Sequence, residues 1–140
     1  MESYDLWDYS IEVDKSATSD WYEKSEGWGC ECGDCRNFLE LAKQKQLPTE
    51  VAELLSGFGV LMEKPTYVCE MCPTKLGHLY QFNYRVKGCI RNDPHPNDSV
   101  QLHWGSCSCG HDPYPYGAPD FPEPHFDLIF FVDLPWILQE

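Results

Sequence analysis

Tyr80, Phe82, Tyr84 and Val86 alternate with Gln81, Asn83, Arg85 and Lys87, the strongest strand signature in the chain. Successive side chains of a strand point to opposite faces, so this run fits a strand with an aromatic face and a polar face. Such a strand needs neighbours to pair with and an apolar layer over its rings. Other segments answer that need. Trp7, Tyr9, Ile11 and Val13 alternate with Asp8, Ser10, Glu12 and Asp14, and Val100, Leu102 and Trp104 alternate with Gln101 and His103. Phe126–Val132 is apolar on both parities apart from Asp127, the pattern of a central strand covered on both faces. Thr66–Met71 is a further candidate, joined to the Tyr80 run by a hairpin turn over Pro73-Thr74-Lys75-Leu76-Gly77.

Two short helices are expected between the first strand and the rest. One begins near Asp34 as N-cap, carries Phe38, Leu41 and Ala42 on one side, and ends at Gln46-Leu47-Pro48. The second starts at Pro48, with Glu50 and Glu53 near its positive end. Its buried stripe is Val51, Leu54, Leu55 and Phe58, and Gly57 or Gly59 supplies a left-handed stop. Residues 15–27 read as a polar loop that tucks Trp21 and Tyr22 against the core. Residues 91–99 and 112–124 read as irregular connections, the latter holding Pro113, Pro115, Pro119, Pro122 and Pro124. The expected fold is therefore α+β. A mainly antiparallel sheet of about five strands carries a short helical pair inserted after the first strand, within a single domain over residues 1–140.

Charge excludes some partners. With 23 acidic against 10 basic residues the net charge is −13, which argues against nucleic acid and against anionic membranes. The N-terminal residues lack the basic and apolar regions of a signal peptide, and no stretch has the length of a membrane span. The expected location is the cytoplasm, where thiols stay reduced. The eight cysteines then point to metal or redox work before structural disulfides.

Three of those cysteines fall within Trp28-Gly29-Cys30-Glu31-Cys32-Gly33-Asp34-Cys35-Arg36-Asn37-Phe38. A C-x-C-x-x-C run can set three sulfurs around one zinc ion, and a helix N-terminus favours their thiolate forms. The fourth ligand would come from afar, with Cys89 and His103 as candidates. The same residues contain Cys32-Gly33-Asp34-Cys35, a C-x-x-C opening a helix, which is the geometry of thiol–disulfide exchange but without the βαβ context of thioredoxin-like proteins. A third reading is three reduced thiols packed beside Trp28. A second ligand set combines Cys69 and Cys72 with Cys107 and Cys109, followed by His111. Glu123, His125 and Asp127 alternate along an extended segment and could bind one divalent ion or relay a proton, but the preferred reading is a satisfied structural histidine. His78 is expected in the hairpin and His95 in a surface turn.

The cysteine run, the Leu-Ser-Gly-Phe-Gly-Val stop at residues 55–60, and the closing Phe-Pro-Glu-Pro-His-Phe-Asp-Leu and Leu-Pro-Trp segments together resemble a family of small bacterial proteins with no established activity. The resemblance implies a stand-alone cytoplasmic bacterial protein and brings no catalytic residues. No phosphate loop, nucleophile elbow or H-E-x-x-H helix is present. The sequence thus reads as a non-enzymatic binding domain with zinc as its candidate ion. An unidentified protein partner would find a contact surface in Asp112-Pro-Tyr-Pro-Tyr-Gly-Ala-Pro, a segment that also suits a rigid loop covering a sheet edge. The alternative is a thiol redox protein or sensor using Cys32 and Cys35.

Overall fold

The computed structural model describes residues 1–7, 9–92, 100–110 and 117–138, with the backbone alone for Val100. The chain is α+β, as expected, with a sheet whose strand pairs are antiparallel. Its elements are β1 (Glu2–Leu6), β2 (Tyr9–Val13), α1 (Lys15–Lys24), α2 (Gly33–Lys43), α3 (Thr49–Gly57), β3 (Tyr67–Pro73), β4 (Gly77–Ile90), β5 (Val100–Leu102), β6 (Gly105–Gly110) and β7 (His125–Pro135). Seven strands and three helices among the described residues replace the expected five strands and two helices, and the helical pair follows a hairpin and α1 rather than a single first strand.

The aromatic alternation of residues 80–86 lies within β4, a strand of 14 residues and the axis of the sheet. The strand order is β1-β2-β4-β7-β6-β5, and β3 pairs with β4 beside this path. One edge of β4 runs along β7 from Gly77↔Pro135 to Lys87↔His125. The other edge is shared, with β3 on residues 78–83 and β2 on residues 88–90. β7 lies between β4 and β6, which accounts for its apolar residues on both parities.

The gap on the shared edge is closed by α1. Unpaired backbone groups of a buried strand are costly, so each needs a partner. Tyr22 Oη donates to the Arg85 carbonyl at 2.8 Å, and the Lys87 N–H donates to Thr18 Oγ1 at 3.1 Å. The Asp14 N–H donates to the Lys87 carbonyl at 2.8 Å. Asp14 also caps α1 by accepting from the Ala17 N–H. The expected loop over residues 15–27 is thus largely a helix. Its buried side chains, Thr18 and Tyr22, use polar atoms to serve β4, so it lacks the apolar stripe that would have announced it.

Two further differences come from turns. The first strand was expected to run through Trp7, but Trp7 takes φ 55° in a turn, and Leu6↔Tyr9 closes the β1–β2 hairpin. Beyond Leu102 the chain turns again, and β6 returns through Gly-Ser-Cys-Ser-Cys-Gly. An added Cβ on Gly105 (φ 149°) would lie 2.4 Å from the Phe131 carbonyl oxygen, so the start of β6 needs glycine. The turn at residues 73–77 forms as expected, with the Thr74 N–H donating to the Gly77 carbonyl at 2.9 Å.

The aromatic face of the sheet is covered by α2 and α3. Phe38 of α2 sits 4.8 Å from Phe82 and 6.0 Å from Tyr80, and Phe58 lies 5.0 Å from Tyr4. Val51, Leu55 and Phe58 are buried as the stripe predicted, whereas Leu54 is only half-buried. Gly59, at φ 81°, makes the left-handed stop. Asn37, fully buried, ties α2 to the C-terminal segment by donating to the Pro135 carbonyl and accepting from the Ile137 N–H. No helix among the described residues is long and apolar enough to cross a membrane.

Candidate metal centre

The chain reaches α2 through a bend at Gly27 (φ 86°), followed by Trp28 and the cysteine run. Cys32, not Asp34, is the N-cap of α2, and its Sγ accepts from the Cys35 N–H at 3.4 Å. The cap therefore aims a sulfur at the positive end of the helix, where negative charge is favoured. Asp34 falls in the first turn instead.

The sulfurs of Cys30, Cys32 and Cys35 lie within 4.8 Å of one another. Cys30 and Cys32 are exposed and Cys35 is buried. Burial pushes the Cys35 thiol up to about 12, although the Trp28 indole N–H, 3.2 Å from its sulfur, pulls the other way. A hydrogen bond from the Cys32 backbone holds the Cys30 thiol below its ordinary value, with the neighbouring sulfurs acting in the same direction. Chemically this is a three-sulfur cradle with one exposed thiol of lowered pKa, one sulfur at a helix N-terminus, and one buried thiol whose proton a bound cation would displace. A cavity of about 770 Å³ adjoins Cys30, walled by Trp21, Trp28, Gly117 and Pro119.

No fourth histidine, cysteine or carboxylate among the described residues joins the three sulfurs within that distance. Cys89 sits on β4 against Glu12, and His103 lies in the β5–β6 turn beside Glu50. Neither reaches the cradle.

The second expected set is not brought together. Cys69 and Cys72 lie on β3, Cys107 and Cys109 lie on β6, and β4 and β7 run between them. Three interstrand spacings of about 4.8 Å separate the pairs by roughly 14 Å. Cys107 is instead a fully buried core residue opposite Phe130, and burial pushes its thiol well above the ordinary range. His111 and His95 lie outside the described residues, as does Asp112–Tyr116 of the proline-rich segment. The part of that segment that is described packs on α1. Pro119 O accepts from Trp21 Nε1, and Phe121 lies 4.8 Å from Trp21.

Glu123, His125 and Asp127 do not converge. Glu123 is exposed. Asp127, 1% exposed, accepts from Arg85 Nε at 3.1 Å and from Asn83 Nδ2 at 3.3 Å, a buried pair holding β4 to β7.

Sequence reasoning missed a second cluster. Asp34, Glu70 and His78 bring their ligand atoms within 4.8 Å of one another. The signal was the hairpin itself, because pairing Glu70 with Tyr80 puts His78 on the same face, two residues along. Comparison with protein-family models, with curated proteins and with solved structures finds no match, so the geometry of these residues carries the functional reading.

Proposed function

We propose that the protein is a non-enzymatic binding domain in which Cys30, Cys32 and Cys35 hold one zinc ion. The convergence of three sulfurs at the N-terminus of α2 is the observation that supports this. Thiolates suit zinc, and zinc takes four ligands, with bonds of about 2.3 Å to sulfur. With three protein ligands the fourth position is left for water or for a donor from a protein partner. The ion would fasten residues 28–32 to α2, and the exposed Cys30 and Cys32 put it within a partner's reach. The reading as a cytoplasmic bacterial protein continues to rest on the resemblance carried by the cysteine run.

Co²⁺ titration of the reduced full chain tests this, because only thiolate ligands give the intense sulfur-to-cobalt absorbance. The expected result is a sulfur-to-cobalt band of the intensity of one thiolate-bound cobalt per chain, its displacement by Zn²⁺, and its loss in Cys32→Ser. Absence of the band in the wild-type protein would refute the proposal.

A second reading is favoured by the contrast between Cys30 and Cys35. An exposed thiol of lowered pKa beside a buried one is the arrangement of an attacking and a resolving cysteine. The sulfur of Cys32, the partner that the C-x-x-C spacing offers to Cys35, lies in the same cradle and could pair with it as well. A readily reversible Cys30–Cys35 disulfide in protein that binds no cobalt would support it.

A further inference from the structure

We propose that Asp34, Glu70 and His78 form a second cation site, separate from the cysteines, which takes a first-row divalent ion through one nitrogen and two oxygens. The three residues come from three elements. Asp34 is in the first turn of α2, Glu70 is on β3, and His78 is near the start of β4. Tyr80 is common to the placement of all three. Tyr80 Oη donates to the Asp34 carbonyl at 2.7 Å, which fixes the α2 turn over β4. Glu70 stands opposite Tyr80, immediately before the register shift between Glu70 and Cys72. That irregularity pairs Cys72 with Leu79, so Glu70 is the acidic side chain presented to His78. The His78 ring packs 5.0 Å from Trp136 and 6.5 Å from Tyr80, and its Nδ1 lies 3.2 Å from Glu70 Oε1.

The cluster sets two carboxyl groups against one imidazole, a donor set that suits a cation. The His78 and Glu70 side chains are 26% and 22% exposed, and Asp34 is also half-buried, so water screens the carboxylates only in part. A divalent ion would take oxygens from both carboxyl groups and a nitrogen from the imidazole. Imidazole with two carboxylates suits Mn²⁺, Fe²⁺ or Zn²⁺, and the remaining coordination positions would be filled by water. Because Asp34 and Cys35 are consecutive on α2, the two sites flank one helical turn from different sides.

Mn²⁺ is the probe, since a hard ion avoids thiolates. Its free-ion EPR signal, followed during titration, counts bound ions in the full chain. The expected result is one bound Mn²⁺ per chain in the wild type and in Cys30→Ser, a cysteine outside α2, weakened at least tenfold in Glu70→Gln and in His78→Gln. Absence of Mn²⁺ binding by the wild type overturns the proposal. So does binding that survives both substitutions, or binding lost in Cys30→Ser. A second measurement does not depend on the variants folding. Substoichiometric Mn²⁺ should broaden the NMR signals of His78 and of residues 33–35 and 69–71 first. Broadening spread over the acidic surface instead would overturn the site. The cobalt band reports the cysteines alone, so the two metal proposals fail separately.

Discussion

Arg85 and Asp127 face each other in register across the two longest strands, and both are almost wholly enclosed. At 3.1 Å between Nε and Oδ1 their attraction is about 5 kcal/mol at an effective dielectric constant near 20. Removing each ion from water costs several kcal/mol, so the pair comes close to breaking even. Removing one partner does not. Arg85→Met leaves the Asp127 carboxylate buried and should cost about 3–5 kcal/mol, a large share of the stability of a small domain. Burial already raises the Asp127 pKa, with Arg85 and Asn83 opposing that rise. Without the guanidinium the rise grows. A carboxyl whose folded pKa exceeds its unfolded value stabilises below the unfolded pKa, and that contribution is lost as pH rises through the folded one. The deficit of Arg85→Met should therefore be largest near neutrality and shrink on acidification. Urea unfolding at pH 7 and pH 5 measures both effects. Arg85→Met combined with Asp127→Leu should recover most of the loss. A single variant that loses under ~1 kcal/mol, with no dependence on pH, would show that the pair is well hydrated and refute the reasoning.

The remaining expectations use the same assay or simple chemistry. Phe58, 2% exposed and packed on Tyr4, should cost about 3–5 kcal/mol as Phe58→Ala in urea unfolding. Tyr22→Phe keeps the ring and removes the hydroxyl that meets the Arg85 carbonyl, so it should cost about 1–2 kcal/mol and speed amide exchange along residues 84–87. In metal-free protein, iodoacetamide at neutral pH should label Cys30 well before Cys35, because one thiol is exposed with a lowered pKa and the other is buried and pushed up to about 12. Equal labelling in peptide mass spectrometry would count against the asymmetric cradle.

The strands with side-chain alternation could be read directly. The period in Tyr80–Val86 is local, since the pleat alone sends alternate residues to opposite faces. The same holds for the stripe Val51, Leu55 and Phe58 on α3. Six residues of chain keep Cys30, Cys32 and Cys35 in one neighbourhood, but only the turn into α2 draws their sulfurs together. The strands β1 and β6 were not legible. β1 offers little apolar patterning, and in β6 Cys107 serves as a core hydrophobe, a role its chemistry disguises. Helix α1 was hidden because its buried side chains satisfy backbone groups of β4, a need that exists only once β2 and β3 have divided that strand's edge. Long-range placement decided the rest. Strand order put two strands between the outer cysteine pairs and so separated them, while the β3–β4 hairpin and the first turn of α2 gathered Asp34, Glu70 and His78. Local periodicity fixes which way a side chain points. Which distant side chain it meets depends on strand order and register, and those follow from the packing of the whole chain.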